Sequence, residues 1–284
     1  MSNPTPNTPR PAVTPPTEQP AGATPPTAGV SRRDLVFGGV GGLAAGLAVG
    51  RWSKATAAAP KNSPWDKATD RSFAQCGEDI IMAWLLTKAP LTLEKPSYLD
   101  IGTWEPIVSN NTYVFYVKGG RGVLVEPNGA LAEVIRRERP EDKLLTVGIG
   151  VDDATEADYW MFNDAQLNTF DKASAEQVMK LDRIKLEKVV KLPLISINRV
   201  IAEHMGGKAP DALSIDTEGL DLKILQTLDY EKYRPKLICV ETIIATTFHR
   251  APEIPRFLES KGYEVWGQTY ANTILLDKTV IPPS

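Results

Sequence analysis

Cysteine and histidine are scarce: the 284 residues hold two of each. So few histidines exclude a histidine-rich metal centre. Cys239 lies in the apolar run Leu237-Ile238-Cys239-Val240, the usual setting of a buried thiol, and both cysteines read as free and structural. An excess of one charge is also missing. The formal net charge is −3, with no basic surplus and no like-charged tail, so nucleic acid is not an expected partner. The mild apolar run that ends at Gly50 is short for a membrane span and diluted by glycine. No internal repeat is visible. What remains is ordinary globular composition, 42% hydrophobic and 24% charged, sufficient for one sizeable core with appendages.

Residues 1–30 are rich in Pro, Thr and Ala and almost free of large apolar side chains. They cannot bury enough surface to offset ordering entropy and read as disordered. Residues 31–59 contain Ser31-Arg32-Arg33-Asp34-Leu35-Val36-Phe37, the weak apolar run, and Ala57-Ala58-Ala59. That pattern resembles a twin-arginine export signal, with an uncleaved anchor or a flexible arm as alternatives. Residues 60–72 read as a polar linker, and 73–284 as the globular domain.

The domain is organised around Ser97-Tyr98-Leu99-Asp100-Ile101-Gly102-Thr103. A short apolar run ending in an acid and a glycine reads as a buried parallel strand that stops at a ligand crevice. A helical segment from Asn111 to Lys118 leads to a second run, Gly122-Val123-Leu124-Val125, ending in Glu126-Pro127-Asn128. Strand, helix and strand form a βαβ unit, whose ligands sit beyond the carboxyl ends of the strands. An acid ending the second strand can accept hydrogen bonds from both ribose hydroxyls.

Elsewhere, Ser72 is expected to cap a helix over 73–88, and a helix over 130–139 stops at Pro140. Strand three is expected over 143–149. Residues 158–162 read as a strand in an irregular insertion, and 163–191 as polar, with one helical piece over 174–181. Ser196 is expected to cap a helix to His204. Strand four ends at Asp216, strand five at Glu241, and a helix over 252–261 stops at Gly262. Two last strands, 263–268 and 273–276, form an antiparallel hairpin. The fold class is therefore α/β: a Rossmann-like, methyltransferase-like fold with a mostly parallel seven-stranded sheet and a C-terminal antiparallel hairpin. A dehydrogenase would want G-x-G-x-x-G after strand one, but the chain has Gly102-Thr103-Trp104-Glu105-Pro106. The glycines that seat a pyrophosphate are absent, so a cofactor with ribose and no phosphate fits, namely S-adenosylmethionine.

At Gln75-Cys76-Gly77-Glu78-Asp79, Leu99-Asp100-Ile101-Gly102, Ser109-Asn110-Asn111-Thr112, Gly120 to Pro127, Leu213 to Gly219, and Arg234-Pro235-Lys236 with Glu241, the chain resembles the FkbM family of S-adenosylmethionine-dependent methyltransferases. The resemblance covers about residues 71–277. It implies methyl transfer, usually onto an oxygen of a sugar, polyketide or similar small molecule, so the expected partner is a small-molecule or glycan acceptor.

Asp100 could meet the cofactor's ammonium or cap its own loop. Gly102 and Thr103 start the crevice, Glu126 should hold the ribose, and Pro127 and Asn128 flank it. Asn111 and Thr112 open a helix whose N–H groups could hold the cofactor's carboxylate, unless they serve capping alone. Asp152 and Asp153 could accept from an adenine amine or form a solvated turn. Asp216 and Glu218 end strand four where the methyl group should lie, and could take or orient the acceptor's proton. A divalent cation between two such acids is the alternative, and the expectation is no metal. His249 is a further candidate base, or a surface histidine. Arg121 and Glu241 could form a structural pair. Trp104, Trp160 and Phe162 could pack an acceptor ring, or belong to core or lid. The export-like N-terminus favours an exported or anchored enzyme, through the twin-arginine translocase or the membrane, while cofactor supply favours the cytoplasm. An exported, non-enzymatic binding protein on the same scaffold is the rival reading.

Overall fold

The computed structural model describes residues 71–88, 91–244 and 246–281. The expected disordered segment, the twin-arginine-like segment and nearly all of the linker lie outside the described residues. The elements in order are α1 (Glu78–Thr87), β1 (Tyr98–Ile101), α2 (Tyr113–Val117), β2 (Gly122–Val125), α3 (Gly129–Glu138), β3 (Lys143–Leu145), β4 (Gly148–Gly150) and β5 (Glu156–Phe162). After a 3-10 turn come α4 (Lys172–Val178), β6 (Leu186–Ser196), α5 (Ile197–His204), β7 (Ala212–Ile215) and α6 (Asp221–Thr227). The chain closes with β8 (Leu237–Glu241), α7 (Glu253–Ser260), β9 (Tyr263–Gln268) and β10 (Asn272–Asp277).

Seven strands form the main sheet in the order β3-β2-β1-β7-β8-β10-β9. The first five are parallel, and β10 runs antiparallel to both β8 and β9. This is the α/β, Rossmann-like methyltransferase architecture read from the sequence, with the terminal hairpin in place. Strand side chains alternate between two cores. Leu99, Ile101, Leu213 and Ile238 pack with α5, α6 and α7 on one face. Tyr98, Leu124, Leu237 and Cys239 pack with α1, α2 and α3 on the other. Each fully buried Leu or Ile contributes about 1.5–3 kcal/mol, so strands β1, β7 and β8, buried on both faces, form the rigid floor of the crevice.

Three local expectations are corrected. Ser72 does not cap a helix: α1 begins only at Glu78, and the Ser72 hydroxyl donates to Asp79 Oδ1 (2.7 Å). The single strand expected over 143–149 is two, because the chain leaves the main sheet after Leu145 and begins a second sheet at Gly148. That second sheet, in the order β4-β6-β5, includes the eleven-residue strand β6, part of which the sequence reading had as irregular.

Candidate active site

The strand register aligns the tips. Asp100 stands beside Leu124 on β2 and Ser214 on β7, so Glu126 and Asp216 emerge at the same end, on either side of Gly102. Gly102 has φ 79°, and a Cβ there would lie 1.7 Å from the carbonyl oxygen of Asp216. Only glycine lets the two backbones pass this closely. A cavity opens at these tips, lined at one end by Val147, Ile149, Tyr159, Asn168 and Phe170, and at the other by Gln75, Ser214, Asp216, Glu218, Glu241 and Asn272.

Glu126 lies on the cavity wall with 4% exposure, held by two backbone donors. Trp104 N donates to Oε2 (2.9 Å) and Asn128 N to Oε1 (2.8 Å). Burial pushes its carboxyl up to about 7, against the pull of those N–H groups. Each oxygen keeps a lone pair for a ribose hydroxyl. Asp100 is also buried, and burial raises its carboxyl. Its Oδ2 accepts from Thr112 Oγ1 (2.6 Å) and Asn110 Nδ2 (3.3 Å).

Behind Asp100 stands a residue that the sequence reading missed. The Arg139 guanidinium donates through Nε to Asp142 Oδ2 (2.8 Å), through Nη1 to Asn110 Oδ1 (3.1 Å), and through Nη2 to Thr112 Oγ1 (3.1 Å). It is fully buried under the rings of Tyr98, Tyr113 and Tyr116. An arginine at the end of a helix carries no sequence signal that sets it apart from a surface residue.

The expected cofactor residues divide into two groups. Asp100, Gly102, Thr103, Asn111, Glu126 and Pro127 line the cavity. Thr112 and Asn128 stand outside the lining and position it: Thr112 links Arg139 to Asp100, and the Asn128 side chain caps α3 by accepting from Ala130 N (3.1 Å). The N–H groups of Thr112 and Tyr113 are already taken by Asn110 Oδ1 (3.0 and 2.8 Å), so the opening of α2 is capped rather than open to an anion. Asp152 Oδ1 accepts from Ala154 N (2.9 Å) in an exposed turn. Trp104 joins the lining, whereas Phe162 is buried in a small satellite core with Trp160 packed against it.

Asp216 and Glu218 meet a third acid, Glu241, at the other end. Each offers an oxygen, and the three oxygens lie within 4.8 Å of one another. Arg121 pairs instead with Glu141, which leaves Glu241 to the cavity. Burial raises the carboxyl groups of all three acids, and the charge of Asp221 beside Asp216 adds to it. Asp221 braces their loop by accepting from Thr217 N (2.9 Å) and Gly219 N (3.2 Å). Glu218 itself sits at φ 54°, a left-handed conformation that costs about 1–3 kcal/mol and persists only where the surroundings fix it. The insertion supplies part of that fixing, since Thr169 Oγ1 donates to the Glu218 carbonyl (3.0 Å). His249 lies exposed on the loop after β8, outside the lining.

The residues fit a purine nucleoside at the first end. Tyr159 and Phe170, ring centroids 4.6 Å apart, give an apolar wall. Asn168 is 8% exposed, and its Oδ1 accepts from Phe162 N (2.7 Å). That bond fixes the amide's orientation and leaves Nδ2 a buried donor without a partner. A ring nitrogen is an acceptor of the right kind.

The methyltransferase FkbM domain matches residues 100–265. No curated protein matches the chain. Among solved structures, a TehB-like SAM-dependent methyltransferase from Corynebacterium glutamicum is similar at 9% identity, covering 82% of this chain and 97% of that one, with a TM-score of 0.37. An O-methyltransferase from Bacillus cereus in complex with SAH is similar at 15% identity, over 80% and 96% of the two chains, with a TM-score of 0.34. Aeropyrum pernix fibrillarin with natively bound S-adenosyl-L-methionine is similar at 11% identity, over 69% and 74%, with a TM-score of 0.35. The structural likenesses are remote, but the domain match takes in the acid-ended strands β1, β2, β7 and β8 together, and by that match the chain belongs to the FkbM family of S-adenosylmethionine-dependent methyltransferases.

Proposed function

We propose that the protein transfers a methyl group to a hydroxyl oxygen of a sugar, polyketide or similar small molecule. The observation that carries this reading is the division of one cavity into a nucleoside end, anchored by Glu126, and an acid-lined end at Asp216, Glu218 and Glu241. S-adenosylmethionine supplies a methyl group on a positively charged sulfur. As the new O–C bond forms, the C–S bond breaks to leave a neutral thioether, and the hydroxyl proton must go elsewhere. An acceptor held at the second end meets carboxylates that can orient its hydroxyl and take that proton. Glu126 binds the ribose, Asn168 and the aromatic wall hold the base, and Asp100, held through Thr112, faces the amino-acid end.

Calorimetry with S-adenosylhomocysteine tests the nucleoside end. Glu126→Ala should weaken binding by about 10–100-fold, the cost of two lost hydroxyl bonds and two orphaned N–H groups. The pH dependence follows from the same carboxyl. Its ionised form accepts both hydroxyls, so affinity should fall as pH drops through about 7, by about tenfold per unit below that. Glu126→Gln should remove this component at every pH. Saturable binding that ignores both substitutions would sink the assignment.

His249 is the one candidate base away from the cavity, and proton transfer is assigned here to the carboxylates. His249→Ala is expected to keep kcat within about twofold, as surface substitutions usually do. A loss of a hundredfold would return the base to that loop.

Arg32-Arg33 supports a second reading, that of an exported binding protein. Among the described residues no helix is long and apolar enough to cross a membrane. Fractionation that places the processed protein outside the cytoplasm, together with an absence of turnover, would favour it over the enzyme.

A further inference from the structure

Among the described residues five carboxylates line the cavity, those of Asp100, Glu126, Asp216, Glu218 and Glu241, and no Lys, Arg or His does. Three of the five are concentrated at the acceptor end, with oxygens within 4.8 Å of one another. In an octahedral site with metal–oxygen bonds of about 2.1 Å, oxygens on opposite sides stand about 4.2 Å apart, and a larger cation such as Ca²⁺ spreads them further. Separations of up to 4.8 Å accommodate either.

A separate observation points to the same place. Asn272 on β10 is 3% exposed, and its Nδ2 donates to Glu78 Oε1 (3.1 Å). That bond fixes the amide, since a flip would set oxygen against a carboxylate. Its Oδ1 is left buried with no hydrogen-bond partner. Asn272 is the register partner of Glu241 across the β8–β10 pair, and residues directly opposite share a face. Asp216 and Glu241 follow the matched pair Ile215 and Val240 on β7 and β8. Asp216, Glu241 and Asn272 therefore form one row across three adjacent strand ends, with Glu218 folded over it. A buried carbonyl without a partner costs about 1–3 kcal/mol, and it is a ligand for a hard cation.

We infer that Asp216, Glu218, Glu241 and the Asn272 amide oxygen form a binding site for a divalent, oxygen-preferring cation of the Mg²⁺ or Mn²⁺ class. All four ligands are oxygens, as that class requires. The sequence-based expectation of no metal considered only two of these acids. On the proposed methyl-transfer reading the cation would hold and acidify the acceptor's hydroxyl, whose proton passes to the second, unligated oxygen of one of these carboxylates, but binding itself does not depend on that reading.

The test uses the full chain, stripped with EDTA and dialysed, and titrated with MnCl₂ under electron paramagnetic resonance with no cofactor or acceptor present. One Mn²⁺ per chain is expected. Glu218→Gln and Asn272→Ala should each weaken it at least tenfold, with circular dichroism confirming the fold. Glu241→Gln reads the same site should either variant fail to fold. Glu126→Gln should leave Mn²⁺ affinity within about twofold, because it stands at the nucleoside end. No binding at millimolar Mn²⁺, binding that ignores the ligand variants, or an equal loss in Glu126→Gln would each overturn the site. Calorimetry with S-adenosylhomocysteine on the same samples separates the two claims. Intact nucleoside binding without Mn²⁺ defeats only the metal site, and Mn²⁺ binding without nucleoside binding defeats only the methyl-transfer reading.

Discussion

Arg139→Ala is expected to lower folding stability by about 3–5 kcal/mol, the usual cost of removing one partner of a buried charge pair. Urea denaturation should show a lower midpoint. The guanidinium and Asp142 are both fully shielded from solvent. Without it, Asp142 loses its cation, Asn110 Oδ1 and Thr112 Oγ1 lose donors, and a space opens beneath three tyrosine rings. Asp100 suffers at one remove, because Arg139 is the main charge that opposes its burial. Arg139→Lys should recover only part of the loss, since an ammonium cannot fill a planar, three-way fork. A loss below about 1 kcal/mol would place Arg139 among ordinary surface arginines.

Asp216→Asn is expected to cut kcat by about 10²–10⁴-fold, the range for losing a positioned proton acceptor. Affinity for S-adenosylhomocysteine should change little, because Asp216 stands at the acceptor end while the nucleoside is gripped at the other. Single-turnover kinetics with a methylated product as readout separates chemistry from release. Equal losses in binding and turnover would instead show that the two ends are not distinct. An unchanged rate would remove the acids from the reaction altogether.

The sequence reveals the strand tips because buried parallel strands are short apolar runs, and a polar residue that ends such a run marks the crevice. β1, β2, β7 and β8 all read that way, and with them Asp100, Glu126 and Asp216. Strand β6 does not. It is hydrogen-bonded on both sides, yet most of its side chains are exposed, so Glu187, Lys188 and Lys191 hide it among polar loop residues. Glu241 was visible as a strand end, but spacing cannot say whether a carboxylate meets Arg121 or a cavity. Asn168 and Tyr159 became site residues only because the insertion carries them over the end of the main sheet. The ends of 3.6-residue and two-residue periodicities are local signals, and partner choice across a hundred residues is not.

The parallel pairing of β4 with β6 has an evolutionary consequence. Gly150 lies opposite Ser196, so the polypeptide departs and returns at neighbouring points. Everything from Val151 to Ile195 is therefore a cassette, exchangeable between relatives without re-threading the seven-stranded platform. Three latches must survive any such graft: the Thr169 hydroxyl on the Glu218 carbonyl, the ion pair of Asp171 with Lys223 (3.3 Å), and the fit of Ser174 against Gly219, where a Cβ would come within 2.1 Å of the serine oxygen. A lobe exchanged there would reshape the wall that meets the cofactor's base, while the acid row on β7 and β8 keeps its footing in the platform.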